Sequence, residues 1–323
     1  LPARWLERLL AARPGGDADS ATAPVFIVGH WRSGTTHLHN LLACSPEFGI
    51  ITPLASGLPH ELLTLASWLR PLLEKSLPVD RGVDRVAVTP SSPQEDEIPL
   101  ASMQPLSVFN ALYYPREFQR RIDEGVFLEG VGEAELGRWR RCLLAFFNKV
   151  RRHQGGRPPL VKNPAHSARI AQLRAIWPQA RFVHIYRNPY AVFPSTVQYF
   201  RKLLPELALQ RFAHLDLEAV VRQLYPRLLD RLYTATADLP DDRFAEVAFE
   251  QLERDPLGTI DEIMRQLELP ARPQTLERAR AHLDRVAGYR KNRLQLAERD
   301  QRLVERHWGR YLRRYQYGAP PPA

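Results

Sequence analysis

The chain has 323 residues, 44% of them hydrophobic, and a formal net charge of +9. That length suits one large α/β domain with a sizeable core, and the charge favours anionic partners such as nucleotides, phosphates, nucleic acid or a membrane surface. Two cysteines, Cys44 and Cys142, exclude a disulfide framework; both sit among apolar neighbours, read as reduced core residues, and point to a reducing, cytoplasmic setting.

Nearly all of the positive charge is arginine, the lysines being only Lys75, Lys149, Lys162, Lys202 and Lys291. Arginine suits bidentate recognition of phosphate and sulfate oxygens. No stretch reaches the ~18 apolar residues that span a bilayer. The longest, Leu62 to Leu73, is interrupted by Arg70 and Pro71.

In chain order, Trp5 to Ala12 reads as a short amphipathic helix and Gly15 to Ala23 as a linker. Val25-Phe26-Ile27-Val28 is a compact apolar run of the kind that forms a buried strand. Similar runs recur at Leu160-Val161, Phe182 to Tyr186 and Phe244 to Phe249. Helical patterns separate them at Leu38/Leu41/Leu42, Leu136 to Val150, Ile170 to Trp177, Val220 to Leu239 and Ile260 to Leu267. Strands alternating with helices predict an α/β fold of three α/β/α layers around a central parallel sheet, with ligands at the carboxyl ends of the strands. Ile51 to Phe118, rich in Pro, Leu and Ser, is expected to form helices and loops capping the sheet. The expected division is 1–23 N-terminal helix and linker, 24–317 main domain, and 318–323 a Pro-rich, disordered tail.

The most informative segment is Val25-Phe-Ile-Val-Gly29-His-Trp-Arg32-Ser33-Gly34-Thr35-Thr36-His37-Leu38, which reads as strand, tight loop, then helix. Gly29 and Gly34 let the backbone turn sharply and approach a ligand closely. The amides of Ser33 to Thr36 open the helix towards an anion, with hydroxyls of Ser33, Thr35 and Thr36 as further donors and Arg32 as a fixed charge. The glycines have the spacing of the Walker A loop, but Thr35 stands where its lysine belongs. Losing that lysine argues against a nucleoside triphosphate.

Arg32-Ser-Gly-Thr-Thr36 after an apolar strand resembles the 5′-phosphosulfate loop of sulfotransferases that use 3′-phosphoadenosine-5′-phosphosulfate, and is closest to their bacterial-type branch. The resemblance implies a P-loop-like fold, transfer of a sulfuryl group to a hydroxyl or amine, and a second anion site for the 3′-phosphate. Arg181-Phe-Val-His-Ile-Tyr-Arg187-Asn-Pro-Tyr-Ala-Val-Phe-Pro-Ser195 supplies that site. Arg187 sits at a strand tip, able to grip phosphate in bidentate fashion. The family places a serine eight positions after such an arginine, which is Ser195 here. Pro194, just before it, is expected to kink the helix. The resemblance further places Phe249 near the nucleotide, Tyr289, Arg290 and Lys291 over the 3′-phosphate, and His37 against the adenine. His30 and His39 read as structural or surface residues.

Sulfuryl transfer needs cations and amides at the leaving phosphate and a base at the acceptor. Arg32 and the loop amides fill the first role, and Lys162, at the end of its strand, can reach the transferring group. Two groups compete for the base. His166 lies in Lys162-Asn-Pro-Ala-His166, similar to a Lys-x-x-Pro-x-His stretch of the bacterial-type branch, and its unperturbed pKa near 6.5 suits the task. The rival is the acidic run Gln94-Glu95-Asp96-Glu97, which also reads as the acidic start of a helix. The expected ligands are the donor nucleotide, its product 3′,5′-adenosine bisphosphate, and a small-molecule, lipid or carbohydrate acceptor. No metal, nucleic acid or transmembrane segment is expected. A nucleotide kinase or ATPase that has lost its Walker lysine is the alternative. A non-enzymatic basic module for nucleic acid or an anionic membrane stands third, since the basic residues lack a groove motif.

Overall fold

A computed structural model describes residues 7, 23–75, 80–81, 86–87, 89–286 and 296–318. At its centre are strands β1 (Val25–Val28), β2 (Gly49–Ile50), β5 (Pro159–Lys162), β6 (Arg181–Tyr186) and β7 (Phe244–Ala248), in the order β2-β5-β1-β6-β7. Every pairing in this sheet is parallel. Strands β3 (Asp80–Arg81) and β4 (Val86–Ala87) form a separate antiparallel ribbon that the sequence pattern does not announce.

All four residues of β1 are buried, so the strand needs cover on both sides. Val25 and Ile27 face one core with Val183, Ile185, Ala245 and Val247. That core is closed by helices α1 (Thr35–Leu42), Pro256–Gln266 and Arg272–Val286. Phe26 and Val28 face the opposite core with Val161 and Phe182, under helices Glu133–His153 and Ile170–Ile176. A third cluster joins helices Pro189–Leu207, Leu217–Thr236 and Glu298–Arg314 beyond the sheet. This is the three-layer α/β/α arrangement expected from the alternating pattern.

The stretch 51–118 caps the sheet as expected, with short helices Pro53–Gly57, Leu65–Lys75, Glu97–Met103 and Val108–Tyr113. Among the described residues no helix is long and apolar enough to cross a membrane. Cys44 and Cys142 are free and half-buried, and burial raises both thiol pKa values.

The topology places the chemistry. Ile27 pairs with Lys162 on one side, and Val28 pairs with His184 on the other. The loop leaving β1 therefore emerges between the carboxyl ends of β5 and β6, which carry Lys162 and Arg187.

Candidate active site

The loop turns at Gly29, where φ is +146° and an added Cβ would lie 2.3 Å from the Ile185 carbonyl oxygen. Only glycine fits. Arg32 adopts a left-handed backbone, φ 69°, a conformation that costs a non-glycine residue about 1–3 kcal/mol and persists where the surroundings dictate it. Gly34, at φ +100°, occupies the N-cap of α1, and a Cβ there would sit 2.2 Å from Phe249 Cδ2. Helix α1 has no side-chain cap and no acidic residue in its first turn, so its positive end is left for an anion. Ser33 Oγ is buried and makes no hydrogen bond. An unmet buried hydroxyl costs about 1–3 kcal/mol, which a bound oxyanion would relieve. These features fit a phosphate. Gly34→Ala should therefore lower stability by about 1–3 kcal/mol and abolish nucleotide-induced stabilisation, read from denaturation midpoints with and without ligand.

Arg187 follows β6, and the next residue, Asn188, caps helix Pro189–Leu207 through its side chain. The Arg187 guanidinium lies over the Phe249 ring at 4.5 Å from its centroid and donates to the Arg32 carbonyl at 3.4 Å. Arg32 Nε in turn donates to Ser195 Oγ at 3.0 Å. Burial pushes the Arg187 pKa below its ordinary value; Glu250 opposes this and Arg32 adds to it. The Glu250 carboxylate is committed elsewhere, accepting from the Asn188 amide at 3.1 Å and the Tyr317 hydroxyl at 2.5 Å. Arg32 and Arg187 thus lie close enough for their like charges to act on one another. The helix continues through Pro194 to Leu207. The proline removes one amide, while Val192, Phe193, Val197 and Phe200 are buried around it and hold the helix in place.

The acidic run and the turn after β5 meet on the other side of the loop. Glu95 Oε1 pairs with Lys162 Nζ. Asp96 Oδ2 contacts His166 Nε2 at 2.7 Å, and Asp96 Oδ1 accepts from Asn163 at 2.8 Å. Glu97 accepts from Arg169 at 2.9 and 3.2 Å, from Asn163 at 2.7 Å and from the Val108 amide at 2.8 Å. Burial alone would raise the Glu97 pKa, but Arg169, Asn163 and His166 hold it at about 2. The Ser167 hydroxyl ties this turn to the phosphate loop, accepting from the Gly29 amide at 2.8 Å. Asp96 occupies the N-cap of helix Glu97–Met103 but makes no capping bond, its carboxylate being turned into the cluster instead.

A family model described as the sulfotransferase family matches residues 24–273. The chain belongs to the sulfotransferase family. It is 33% identical over 321 residues to the omega-hydroxy-beta-dihydromenaquinone-9 sulfotransferases of Mycobacterium tuberculosis and Mycobacterium bovis, covering 98% of this chain and 81% of each relative. Its fold is similar to the crystal structure of sulfotransferase STF9 from Mycobacterium avium, with TM-score 0.69 at 18% identity over 98% of this chain and 81% of that one. It is likewise similar to sulfotransferase STF1 from M. tuberculosis, with TM-score 0.62 at 18% identity over 95% and 83%. The kinase alternative falls away.

In this sulfotransferase, Thr35 is buried at the start of α1, with Thr36 and His37 half-buried behind it. Phe249 is both core and floor, 8% exposed and wedged between Gly34 and Arg187. Tyr289, Arg290 and Lys291 lie outside the described residues. Sequence reasoning missed Asn163 and Arg169, which organise the carboxylates, and Tyr317, which engages Glu250. The signals available were Asn163-Pro164 opening a turn and Arg169 three residues after His166. Neither names its distant partner.

Proposed function

We propose that the chain transfers a sulfuryl group from 3′-phosphoadenosine-5′-phosphosulfate to a hydroxyl of a lipid-like acceptor, with Glu95 as the base. One observation carries the donor assignment: the strand-loop-helix and the Arg187 segment are joined, Arg32 to Ser195 at 3.0 Å and Arg187 to the Arg32 carbonyl at 3.4 Å. With the Arg187 guanidinium on the Arg32 backbone and the Arg32 side chain on Ser195, two cations serve one site, which suits a ligand carrying two phosphate groups. In this reading the amides of Ser33 to Thr36 and Arg32 hold the 5′ end, Arg187 and Ser195 hold the 3′-phosphate, and His37 faces the adenine. Tyr289, Arg290 and Lys291 complete the 3′ end.

Exposure favours Glu95 as the base. Asp96 and His166 are 0% exposed and Glu97 is 1%, each closed in by partners, whereas the Glu95 side chain is 23% exposed. A base must touch its substrate. Glu95 takes the acceptor proton as the acceptor oxygen bonds to sulfur and the bond from sulfur to the leaving phosphate oxygen breaks. The charge released on that oxygen falls to Arg32 and the loop amides. Lys162 sits where it can offset charge on the transferring group. His166 and Glu97 hold the site together and leave the proton transfer to Glu95. None of these steps calls for a metal.

The acceptor reading draws on the capping segments, which are rich in apolar residues, and on the relatives, whose name gives an omega-hydroxylated dihydromenaquinone as acceptor.

The test is thermal stabilisation by 3′,5′-adenosine bisphosphate, ADP and Mg²⁺-ATP. At ~100 times its dissociation constant the bisphosphate should add about 2.7 kcal/mol without metal. Arg187→Ala should lose most of that gain. A preference for Mg²⁺-ATP would sink the donor assignment.

A further inference from the structure

Helix Leu65–Lys75 presents an unusual surface. Leu65, Trp68, Leu69 and Leu72 follow the i, i+3, i+4, i+7 spacing that puts four side chains on one face. In most helices that stripe meets the core. Here it meets solvent: Trp68 is 85% exposed, Leu72 67%, Leu65 43% and Leu69 38%. The helix is instead anchored by Ala66, buried in the same cluster as Leu62 and Leu100. Four of the large apolar side chains exposed among the described residues thus fall within one short helix.

Basic residues lie close to the stripe. Arg70 and Lys75 are exposed on the same helix, against Glu74 as its one acid. Helix Glu133–His153 ends in Arg151, Arg152 and His153, and His153 feels the charge of Arg70. Lys149 ties that end to the segment leading into the stripe, donating to the Pro59 and His60 carbonyls at 3.0 Å each. Arg70 is close enough to His153 to add to the effect of burial in lowering its pKa. A Trp- and Leu-bearing face rimmed by Arg and Lys is the arrangement that seats a helix in the headgroup region of an anionic bilayer. A second copy of the chain is a poor occupant. A face about 16 Å long and about 10 Å wide falls well short of the ~800 Å² per partner of a standard interface.

We propose that the Leu65/Trp68/Leu69/Leu72 face is a membrane-docking surface that seats this sulfotransferase on an anionic lipid bilayer. The stripe lies on the capping segments that also carry Glu95. Leu100, on the helix that begins at Glu97, packs in the same cluster as Ala66, and the Gln94 amide is bonded to the Ile51 carbonyl beside β2 at 2.7 Å. Docking through this face would bring the Glu95–Lys162 pair to the surface where a lipid acceptor resides. That last step rests on the acceptor reading above; the docking itself does not.

The experiment is sedimentation of the full chain with vesicles of equal parts phosphatidylglycerol and phosphatidylcholine, beside vesicles of phosphatidylcholine alone, without nucleotide or acceptor. The wild type should bind the anionic vesicles, less so as salt rises. The double variant Trp68→Ser/Leu72→Ser should bind them at least about tenfold more weakly. Both positions are exposed, so its melting temperature and its stabilisation by 3′,5′-adenosine bisphosphate should match the wild type. Three results would overturn the inference: no binding by the wild type, equal binding by the variant, or a wild-type dimer in light scattering that the variant dissociates. Because the vesicle assay contains no nucleotide, failure of the donor assignment would register separately, in the thermal shift.

Discussion

Glu95→Gln should lower kcat by about 10²–10⁴-fold with the affinity for 3′,5′-adenosine bisphosphate unchanged, because the substitution keeps the side chain's shape and removes its capacity to take a proton. The assay is single-turnover sulfation of the proposed lipid-like acceptor, paired with a nucleotide thermal shift on the same sample. Within the cluster Glu95 pairs with Lys162, so its loss leaves Asp96–His166 and Glu97–Arg169 intact. Lys162→Met should also depress kcat, and the double variant should fall little below the worse single one, as expected when two groups act on the same transition state. His166→Asn supplies the contrast. Fully buried against Asp96 and beside Arg169, His166 should show its loss as a lower melting temperature. If instead His166→Asn abolishes turnover at an unchanged melting temperature while Glu95→Gln stays active, Glu95 is not the base.

What could be read from the chain and what could not divides along a physical line. The strand-loop-helix around Gly29 to Thr36 was legible because its geometry is local: two glycines, an arginine and three hydroxyls need only each other and a helix start. Arg187 was legible for the same reason, a cation at the tip of an apolar strand. The pairing of Arg32 with Ser195 spans 163 positions and that of Lys162 with Glu95 spans 67, distances no local pattern encodes. The acidic run looked uniform, yet folding pairs Glu95 with Lys162, Asp96 with His166 and Glu97 with Arg169, and of the three leaves only Glu95 open to solvent. Helices Arg272–Val286 and Glu298–Arg314 went unread because charged residues outweigh apolar ones. The first buries only Thr275 and Ala279, while the second carries Val304, Trp308, Tyr311 and Leu312 on one stripe amid arginine and glutamate. Conversely, the stripe of helix Leu65–Lys75 has the spacing of a core face, and only the packing reveals that it points outward.

Arg169→Met should cost about 3–5 kcal/mol of stability, because it leaves the Glu97 carboxylate charged and 1% exposed with its cation gone. Arg169 also donates to the Gly125 carbonyl, so the substitution loosens the segment Asp123–Phe127 as well as the ion pair. Adding Glu97→Gln should recover part of the loss by removing the stranded charge, a sign that ordinary loss of packing would not give. The same pair predicts an acid limb. Glu97 is held at about 2 when folded, against an ordinary value of 4.5. Its folded pKa is the lower one, so its stabilising contribution is complete above about 4.5 and drains away as pH falls towards 2. Wild-type stability should therefore fall across that window, and Glu97→Gln, less stable at neutral pH, should show a shallower slope there. Urea midpoints measured between pH 2 and pH 7 decide it: parallel slopes for the two proteins would remove Glu97 from the acid response. The outcome bears on catalysis, since Asn163 joins Glu97 to Asp96 and the neighbouring Ser167 holds the Gly29 amide. Protonating this one buried carboxylate would slacken the turn that follows Lys162 and the loop that carries Arg32 together.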